Sequence, residues 1–248
     1  DTLRKLLAGR PALVSVMAAN NEIGTIQPLA EAARICAGAG ALLHTDAVQI
    51  LSTGTIDVRA LDLAFLSLSG HKLYGPMGIG ALFVREGMAL RPLLHGGGQQ
   101  QGRRAGTLPT ALCVGLGAAC RIARQRRSDD AKRLAALRER LFWALQQALP
   151  GLRRNGSADH GLPGCLNVSL AGLDAADLLL DLPDLALSTG SACSTGSPEP
   201  SHVLRAIGLS PEQAHGSLRL GLGRGTTEAD IDRAAARIAE AVRARDRR

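Results

Sequence analysis

The sequence has few aromatic residues: one Trp, one Tyr and three Phe among 248 residues. It contains no aromatic-rich RNA-binding motif and no zinc-finger spacing. No apolar run is long enough to span a bilayer, and the polar start Asp-Thr-Leu-Arg-Lys does not resemble a signal peptide. The net charge of +7 comes from arginines spread along helical segments with acids between them, as on solvated helix faces. We therefore expect neither a membrane partner nor direct nucleic-acid binding.

The five cysteines also lack a pattern, since no Cys-x-x-Cys occurs and an odd count cannot pair completely. This favours a reducing, cytoplasmic compartment over a disulfide scaffold. Cys193 differs from the other four cysteines, which lie in apolar contexts typical of buried positions. Small residues surround it in 188–200, so we expect an exposed, mobile thiol. The alternative is an ordinary loop cysteine.

Three apolar runs, at 12–18, 41–43 and 61–68, each end in polar residues, and a helix is predicted at 29–39. This order is typical of an open, mostly parallel α/β sheet, in which ligands bind beyond the carboxyl ends of the strands. The polar residues after these strands are therefore expected to meet in one crevice. They are Asn21, Asp46, Gln49 and Lys72.

A fourth strand is predicted at 79–84, followed by a glycine-rich loop at 93–107. Two helices, at about 111–126 and 131–149, are predicted with a polar break at 128–130 between them. We place a domain boundary there. Residues 1–127 are then part of a large cofactor-binding domain, and residues 128–248 are a smaller α+β domain. The elements predicted in the smaller domain are short segments at 165–170, 175–180, 201–207 and 217–222 and a final helix from 227.

Lys72 is the most informative single residue, because it follows an apolar strand. A lysine in a desolvated position loses its proton more readily, and a neutral amine can form a Schiff base with an aldehyde cofactor. Asp46 could then pair with the ring nitrogen of a pyridoxal-type cofactor, and Gln49 with its ring hydroxyl. The alternative for Asp46 is a helix N-cap.

Further residues suit an anionic ligand. Ser69 and His71 flank Lys72 and could donate to a phosphate, although a structural histidine is equally consistent with the sequence. Thr107 lies just before a predicted helix, whose N-terminus favours anions. Arg219, among apolar residues of a strand, needs a carboxylate from the protein or from a substrate. His44 and Asp46 have no third ligand at a recognisable spacing, so no metal site is expected.

Six ordered motifs together resemble the cysteine desulfurases of the NifS/IscS type, in the class V aminotransferase family of pyridoxal phosphate enzymes with fold type I. The resemblance covers essentially the whole chain. Its motifs are Asn20-Asn21-Glu22-x-Gly24, His44-x-Asp46-x-x-Gln49, Ser69-Gly-His71-Lys72-x-x-Gly75-Pro76, Gly96-Gly-Gly98-Gln, Arg104-x-Gly106-Thr107, and Ser191-Ala-Cys193 with Pro200-Ser-His-Val-Leu204.

The resemblance implies a role for each matching position. Lys72 corresponds to the Schiff-base lysine, Asp46 to the partner of the pyridine nitrogen, and Gln49 to the ligand of the ring hydroxyl. Ser69, His71 and Thr107 correspond to phosphate ligands, Thr107 acting across a homodimer. Asn21 and Arg219 correspond to ligands of the substrate carboxylate, Asn21 also lying near the cofactor, and Cys193 to the nucleophile.

The implied reaction removes sulfur from L-cysteine, giving L-alanine and a persulfide on Cys193 for transfer to a sulfur-acceptor protein such as an iron–sulfur scaffold. The alternatives are a related class V activity, selenocysteine lyase or aminotransferase, or an inactive truncated form. The sequence departs from the family at Met77, Gln100-Gln101 and Gly221. The family's ring-stacking histidine and its Gly/Ala-Thr phosphate loop lie upstream of the part matched here. For these 248 residues alone we expect weak cofactor retention and little or no desulfurase activity.

Overall fold

The computed structural model describes residues 1–189 and 200–245. Its internal contacts divide the chain into two units. The first comprises residues 1–18 and 27–127, and the second comprises residues 19–26 and 128–248. The predicted domains therefore differ from the observed units at one segment, 19–26, which groups with the second unit. Within the described residues, no helix is both long enough and apolar enough to cross a membrane.

The first unit is built on a four-stranded sheet in the order β1-β2-β3-β4. β1 (Leu13–Met17), β2 (Leu42–Asp46) and β3 (Phe65–Ser69) are parallel neighbours, and β4 (Gly80–Val84) is antiparallel to β3. The helices are α1 (Thr2–Leu7), α2 (Leu29–Gly38) and the first part of α3 (Thr110–Ala148). Two short 3₁₀ helices follow β3 and β4, at Gly70–Leu73 and Gln99–Gly102.

The second unit contains a three-stranded antiparallel sheet in the order β5-β6-β7. The strands are β5 (Arg153–Asn155), β6 (Cys165–Ser169) and β7 (Ser217–Gly221). The helices are the rest of α3, α4 (Ala175–Leu180), α5 (His202–Ala206), α6 (Pro211–His215) and α7 (Glu228–Arg245). A core of buried aliphatic side chains joins α3, the sheet, α4 and α7; Leu145, Leu166, Leu178 and Ile238 are examples.

The predicted break at 128–130 is wrong, because α3 continues through it as one helix of 39 residues. Asp130 is buried rather than acting as a helix cap, and its carboxylate accepts a hydrogen bond from Nε of Arg224 at 2.8 Å. An interior Asp costs a helix only about 0.7 kcal/mol relative to Ala, which this partly buried ion pair can offset. The predicted strand at 61–68 also begins later, at Phe65, because Asp57 holds a turn before it by accepting from the amides of Arg59 and Ala60.

Candidate cofactor and substrate residues

Asp46 is the last residue of β2, and its side chain is exposed beyond the strand. One carboxylate oxygen accepts a hydrogen bond from the backbone N–H of Val48 at 2.9 Å. The backbone of Asp46 is fixed between both neighbouring strands, since it pairs with Met17 of β1 and Ser67 of β3. The carboxylate is thus held at the carboxyl end of a parallel strand, and its second oxygen makes no hydrogen bond to a residue that the structure describes. Gln49 is half-buried in the turn that follows.

His44 precedes Asp46 by two residues, so both side chains lie on the same face of the sheet. Nδ1 of His44 lies 2.7 Å from the hydroxyl of Ser15, and Nε2 lies 3.2 Å from the hydroxyl of Ser67. A polar row therefore crosses β1, β2 and β3 beside Asp46. Sequence reasoning missed Ser15 and Ser67, because only the register of the strands brings them beside His44.

Lys72 lies in the 3₁₀ helix that follows β3, and its side chain is exposed. The expectation of a desolvated lysine at a buried strand end is therefore wrong for this chain. The strand has already ended at Ser69, and the buried residue of the short helix is Leu73, which packs against Ala119 and Ala123 of α3. Leu73 fixes the position of the helix while the neighbouring amine points away from the core.

Ser69 and His71 form a hydrogen-bonded pair, with Oγ of Ser69 2.8 Å from Nδ1 of His71. When the hydroxyl donates to Nδ1, the imidazole carries its proton on Nε2 and presents one N–H outward. The hydroxyl hydrogen is then committed to the imidazole. Both residues can donate to an anion only when His71 is protonated. In that state Nδ1–H donates to the hydroxyl oxygen of Ser69, so the hydroxyl hydrogen and Nε2–H are both available to the anion.

Thr107 is exposed in the loop before α3. The preceding residue, Gly106, has a φ of 110° and donates its N–H to Oε1 of Gln99 at 3.1 Å. This bond ties the glycine-rich loop to the start of the segment that leads into α3. In the first unit, five predicted residues lie at or just beyond the carboxyl ends of the adjacent strands β2 and β3: Asp46, Gln49, Ser69, His71 and Lys72.

Asn21 belongs to the second unit, in a tight turn at 20–24. The side-chain oxygen of Asn20 accepts from the backbone N–H groups of Glu22 at 2.8 Å and Ile23 at 3.0 Å. Gly24 has a φ of 73°, and a Cβ atom there would lie 3.0 Å from Cβ of Cys165. Only glycine combines this backbone conformation with such close packing against β6. The side chain of Asn20 therefore closes the turn, and Gly24 seats it against β6.

Arg219 lies in the middle of β7, opposite Asn167 of β6. Its Nε donates to the hydroxyl of Ser188 at 2.9 Å, and one terminal nitrogen donates to the carbonyl of Asn21 at 3.2 Å. The guanidinium therefore has no carboxylate partner among residues 1–189 and 200–245, and three of its five N–H groups make no bond to them. These groups match the geometry of an incoming carboxylate.

Glu22 follows Asn21 in the same turn, and its side chain is buried. Only 2% of it is exposed, and its Oε2 accepts a hydrogen bond from the hydroxyl of Ser201 at 2.6 Å. Its backbone carbonyl accepts from the side chain of Asn167 at 3.2 Å. No pattern in the sequence distinguishes this carboxylate from a solvated one in a turn, since its partner lies 179 residues away.

Cys193 lies outside the described residues. Of the other cysteines, Cys113 is exposed, whereas Cys36 is buried as predicted. Burial raises the pKa of the Cys165 thiol to about 11, more than the nearby charges of Arg219 and Arg138 lower it. Cys165 is therefore a protonated, unreactive thiol at neutral pH. Within the described residues, no group of three His, Cys, Asp or Glu side chains is placed to hold a metal ion.

Comparison with known proteins gives a consistent result. Among curated proteins, the chain is 48% identical over 223 residues to a cysteine desulfurase of Homo sapiens, covering 89% of this chain and 49% of that protein. It is 45% identical over 234 residues to the cysteine desulfurase IscS of Rickettsia bellii (strain OSU 85-389), covering 94% of this chain and 57% of that protein. The chain thus spans about half the length of the curated relatives it matches.

The structure is also similar to a solved NifS-like protein, with a TM-score of 0.89 and 34% identity, covering 97% of this chain and 64% of the other. This similarity confirms the predicted α/β architecture of fold type I, with a mixed, mostly parallel sheet in the first unit. The family model described as aminotransferase class-V matches residues 1–234. The chain therefore belongs to the class V aminotransferase family, whose members depend on pyridoxal 5′-phosphate.

Proposed function

We propose that the protein is a cysteine desulfurase that binds pyridoxal phosphate, converts L-cysteine to L-alanine and carries the released sulfur as a persulfide on Cys193. The observation that carries this proposal is that Asp46 ends β2 and Lys72 lies just beyond the end of the adjacent parallel strand β3. The names of the curated relatives support the choice of cysteine as substrate.

The donor set after β2 and β3 fits this cofactor. Asp46 offers a carboxylate oxygen, fixed in position, for the protonated ring nitrogen, and Gln49 offers an amide for the ring hydroxyl. The exposed amine of Lys72 would bind the aldehyde. When bound, the cofactor withdraws electrons from the Cα atom of an amino-acid substrate, which weakens the bonds at that carbon. In the free protein the lysine amine is open to solvent, so any activation by desolvation has to come with the ligand.

The phosphate would meet the outward N–H of His71, with Ser69 setting the orientation of the imidazole through its hydrogen bond to Nδ1. Thr107 is proposed to bind the phosphate of the second subunit of a homodimer. Large apolar side chains between residues 74 and 122 of the first unit are exposed, which supports a second copy of the chain as partner. They are Tyr74, Met77, Leu82, Leu90, Leu93, Leu94, Leu108, Val114 and Ile122.

The substrate carboxylate is proposed to bind Arg219, whose guanidinium has three N–H groups without a partner among the described residues and whose plane is fixed by Ser188 and the Asn21 carbonyl. The side chain of Asn21 is proposed to assist. Cys193 would accept the sulfur atom from bound cysteine, forming an S–S bond as the C–S bond of the substrate breaks. A sulfur-acceptor protein, such as an iron–sulfur scaffold, would then take the sulfur from Cys193.

We also propose that residues 1–127 are part of the large cofactor-binding domain and 128–248 the small domain of this enzyme. A cytoplasmic location is proposed from the cysteines, because the four described ones are all free thiols, as in a reducing compartment. Named relatives include mitochondrial proteins, so localisation by fractionation is a direct test.

The chain has only three lysines, which makes the cofactor test sharp: Lys5, Lys72 and Lys132. Purified protein is mixed with pyridoxal phosphate, its absorbance is recorded, and the complex is reduced with borohydride and mapped by mass spectrometry. We expect label on Lys72 and its loss in Lys72→Ala, with Lys132→Ala as the matched exposed control. Label on Lys5 or Lys132 in place of Lys72 would contradict the proposal.

Sulfur transfer is tested separately by adding L-cysteine and mapping persulfide. We expect it on Cys193 and not in Cys193→Ser. Cofactor on Lys72 without persulfide, but with amino-group transfer to a keto acid, would indicate an aminotransferase.

A further inference from the structure

One face of the three-stranded sheet in the second unit is polar although it is buried. Leu166 and Val168 of β6 belong to the aliphatic core, so the residue between them, Asn167, lies on the opposite face of the sheet. In the register of the strands, Asn167 stands between Asn155 of β5 and Arg219 of β7. Only 1% of Asn167 is exposed. A buried amide is costly unless its oxygen and its nitrogen are both hydrogen-bonded, so the partners of Asn167 show what this position requires.

A chain of hydrogen bonds fixes the direction in which the Asn167 amide points. The hydroxyl of Ser217 donates to the backbone carbonyl of Gln213 at 2.8 Å and accepts from Nδ2 of Asn155 at 3.3 Å. The same nitrogen donates to Oδ1 of Asn167 at 2.7 Å, and Nδ2 of Asn167 donates to the backbone carbonyl of Glu22 at 3.2 Å. Because the backbone carbonyls at both ends can only accept, neither amide can be flipped without losing bonds. Asn167 therefore presents a donor to the turn that contains Glu22.

Two consecutive carbonyls of that turn are thus bound by side chains that face each other in the sheet. Nδ2 of Asn167 binds the carbonyl of Glu22, and a terminal nitrogen of Arg219 binds the carbonyl of Asn21 at 3.2 Å. The Sγ atom of Cys165 also lies 3.5 Å from the Glu22 carbonyl, but a thiol is a weak donor. Because the two carbonyls are consecutive, a turn that moves away from Asn167 also moves the acceptor of Arg219. The position of the guanidinium therefore depends on Asn167.

We propose that Asn167 is a positioning residue for the substrate carboxylate: by anchoring the carbonyl of Glu22, it keeps the guanidinium of Arg219 and the side chain of Asn21 in place for one carboxylate. The neutral amide matters for a second reason. A carboxylate at position 167 would lie directly opposite Arg219 and form an ion pair with it, which would occupy the N–H groups left for the substrate. This inference rests on the proposed role of Arg219 and assigns Asn167 a part in it.

Binding at Arg219 can be followed by NMR in the whole 248-residue chain without turnover or cofactor. The protein is labelled with ¹⁵N-arginine, and the Nε–H signal of Arg219 is assigned by its absence from Arg219→Lys. L-Alanine, the proposed product, is the ligand, and L-alaninamide, which lacks the carboxylate, is the control ligand. We expect the signal to move with L-alanine and not with L-alaninamide, because only L-alanine brings an anionic group to the guanidinium.

Asn167→Leu has nearly the same shape but cannot donate to the carbonyl of Glu22. We expect the dissociation constant for L-alanine to rise about fivefold, the effect of losing one hydrogen bond. Ser169→Ala is the matched control, because the hydroxyl of Ser169 donates to Oδ1 of Asn155 at 3.1 Å in the same buried network and makes no bond to the turn in the described structure. It should keep the wild-type dissociation constant even if its melting temperature falls, which separates positioning from stability.

Asn167→Asp keeps the inference testable if Asn167→Leu does not fold. Its carboxylate is expected to pair with Arg219, so the Nε–H signal should be displaced before any ligand is added and should not move further with L-alanine. A wild-type response to L-alanine in Asn167→Asp would overturn the inference. An unchanged dissociation constant in folded Asn167→Leu would also overturn it, as would a wild-type signal that does not move with L-alanine.

Failure of the proposed function gives a different result. If Asn167→Leu weakens the binding of L-alanine, but the wild type forms no persulfide with L-cysteine and pyridoxal phosphate, the positioning role stands and the desulfurase proposal fails. If persulfide forms in Asn167→Leu with the wild-type KM for L-cysteine, the desulfurase proposal stands and the positioning role fails.

Discussion

Replacing Asp130 with Ala tests why α3 is one helix. Asp130 lies in a polar sequence, Ser-Asp-Asp, that ordinarily ends or starts a helix. In the structure its carboxylate is buried and bonded to Nε of Arg224, whose side chain is 21% exposed. The neighbouring residue, Asp129, is exposed on the same helix, and no bond from its side chain to another described residue is present. The two adjacent aspartates therefore differ in environment while sharing the same local sequence.

The expected cost of Asp130→Ala follows from these two environments. Removing one partner of a fully buried ion pair costs about 3–5 kcal/mol. The pair here retains some solvent contact, so we expect its removal to lower the unfolding free energy by about 2–3 kcal/mol. The higher helix propensity of Ala offsets about 0.7 kcal/mol of this loss. The net destabilisation is about 2 kcal/mol, or about 4–8 °C in the melting temperature of a chain of this size. Asp129→Ala breaks no ion pair and changes only the helix propensity, so it should be neutral or slightly stabilising.

The measurement is thermal unfolding of the two variants and the wild type, followed by circular dichroism at 222 nm in the same buffer. Asp130→Asn provides a further comparison, because its side-chain oxygen can still accept from Arg224 while the charge is lost. We expect it to fall between the wild type and Asp130→Ala. Equal melting temperatures for Asp129→Ala and Asp130→Ala would show that the ion pair does not explain the continuity of α3.

Two further predictions concern the second unit. Gly24→Ala places a side chain at a φ of 73° and 3.0 Å from Cβ of Cys165, whereas Gly40→Ala has a similar φ of 69° with nothing within 4 Å. Both variants should lose about 1 kcal/mol of unfolding free energy to backbone strain. Only Gly24→Ala should lose a further 1–2 kcal/mol, because its new methyl group overpacks against Cys165. Thermal or urea unfolding measures both losses, and equal losses would contradict the packing argument. Because the pKa of Cys165 is raised to about 11, its alkylation by iodoacetamide should increase about tenfold per pH unit between pH 7 and 10. A rate that levels off near pH 9 would show that burial does not hold the thiol protonated.

The order of strands and helices in the first unit could be predicted, because it depends on short-range patterns. The apolar run at 61–68 ends one residue before β3 does, at Ser69, and the run at 41–43 marks the first part of β2, which continues through polar residues to Asp46. The packing of α3 could not be predicted this way. Ser128 and the two aspartates after it give a local sequence that favours a helix start, and only the distant Arg224 decides otherwise.

The surroundings of Lys72 show the same limit at the candidate site. The sequence gives the residue types that a pyridoxal phosphate enzyme needs, in the right order. It does not give their exposure, which depends on where β3 ends and on Leu73, rather than Lys72, packing against α3. Residue type and order can be predicted from the sequence here, whereas the exposure of the Lys72 side chain depends on packing between distant residues.

The turn at 20–24 shows why part of a site can remain hidden even when its motif is recognised. The motif Asn20-Asn21-Glu22 follows β1 directly, so strand patterns assign it to the first domain. Its contacts are instead to β6, β7 and α5, through the carbonyls of Asn21 and Glu22 and the buried carboxylate. Each partner is more than 140 residues away, and long-range hydrogen bonds leave no periodicity in the sequence. A motif that follows a strand of the first unit in the sequence is therefore part of the second unit in the structure. The burial of Glu22 follows from its distant partner, Ser201, and not from its neighbours in the sequence.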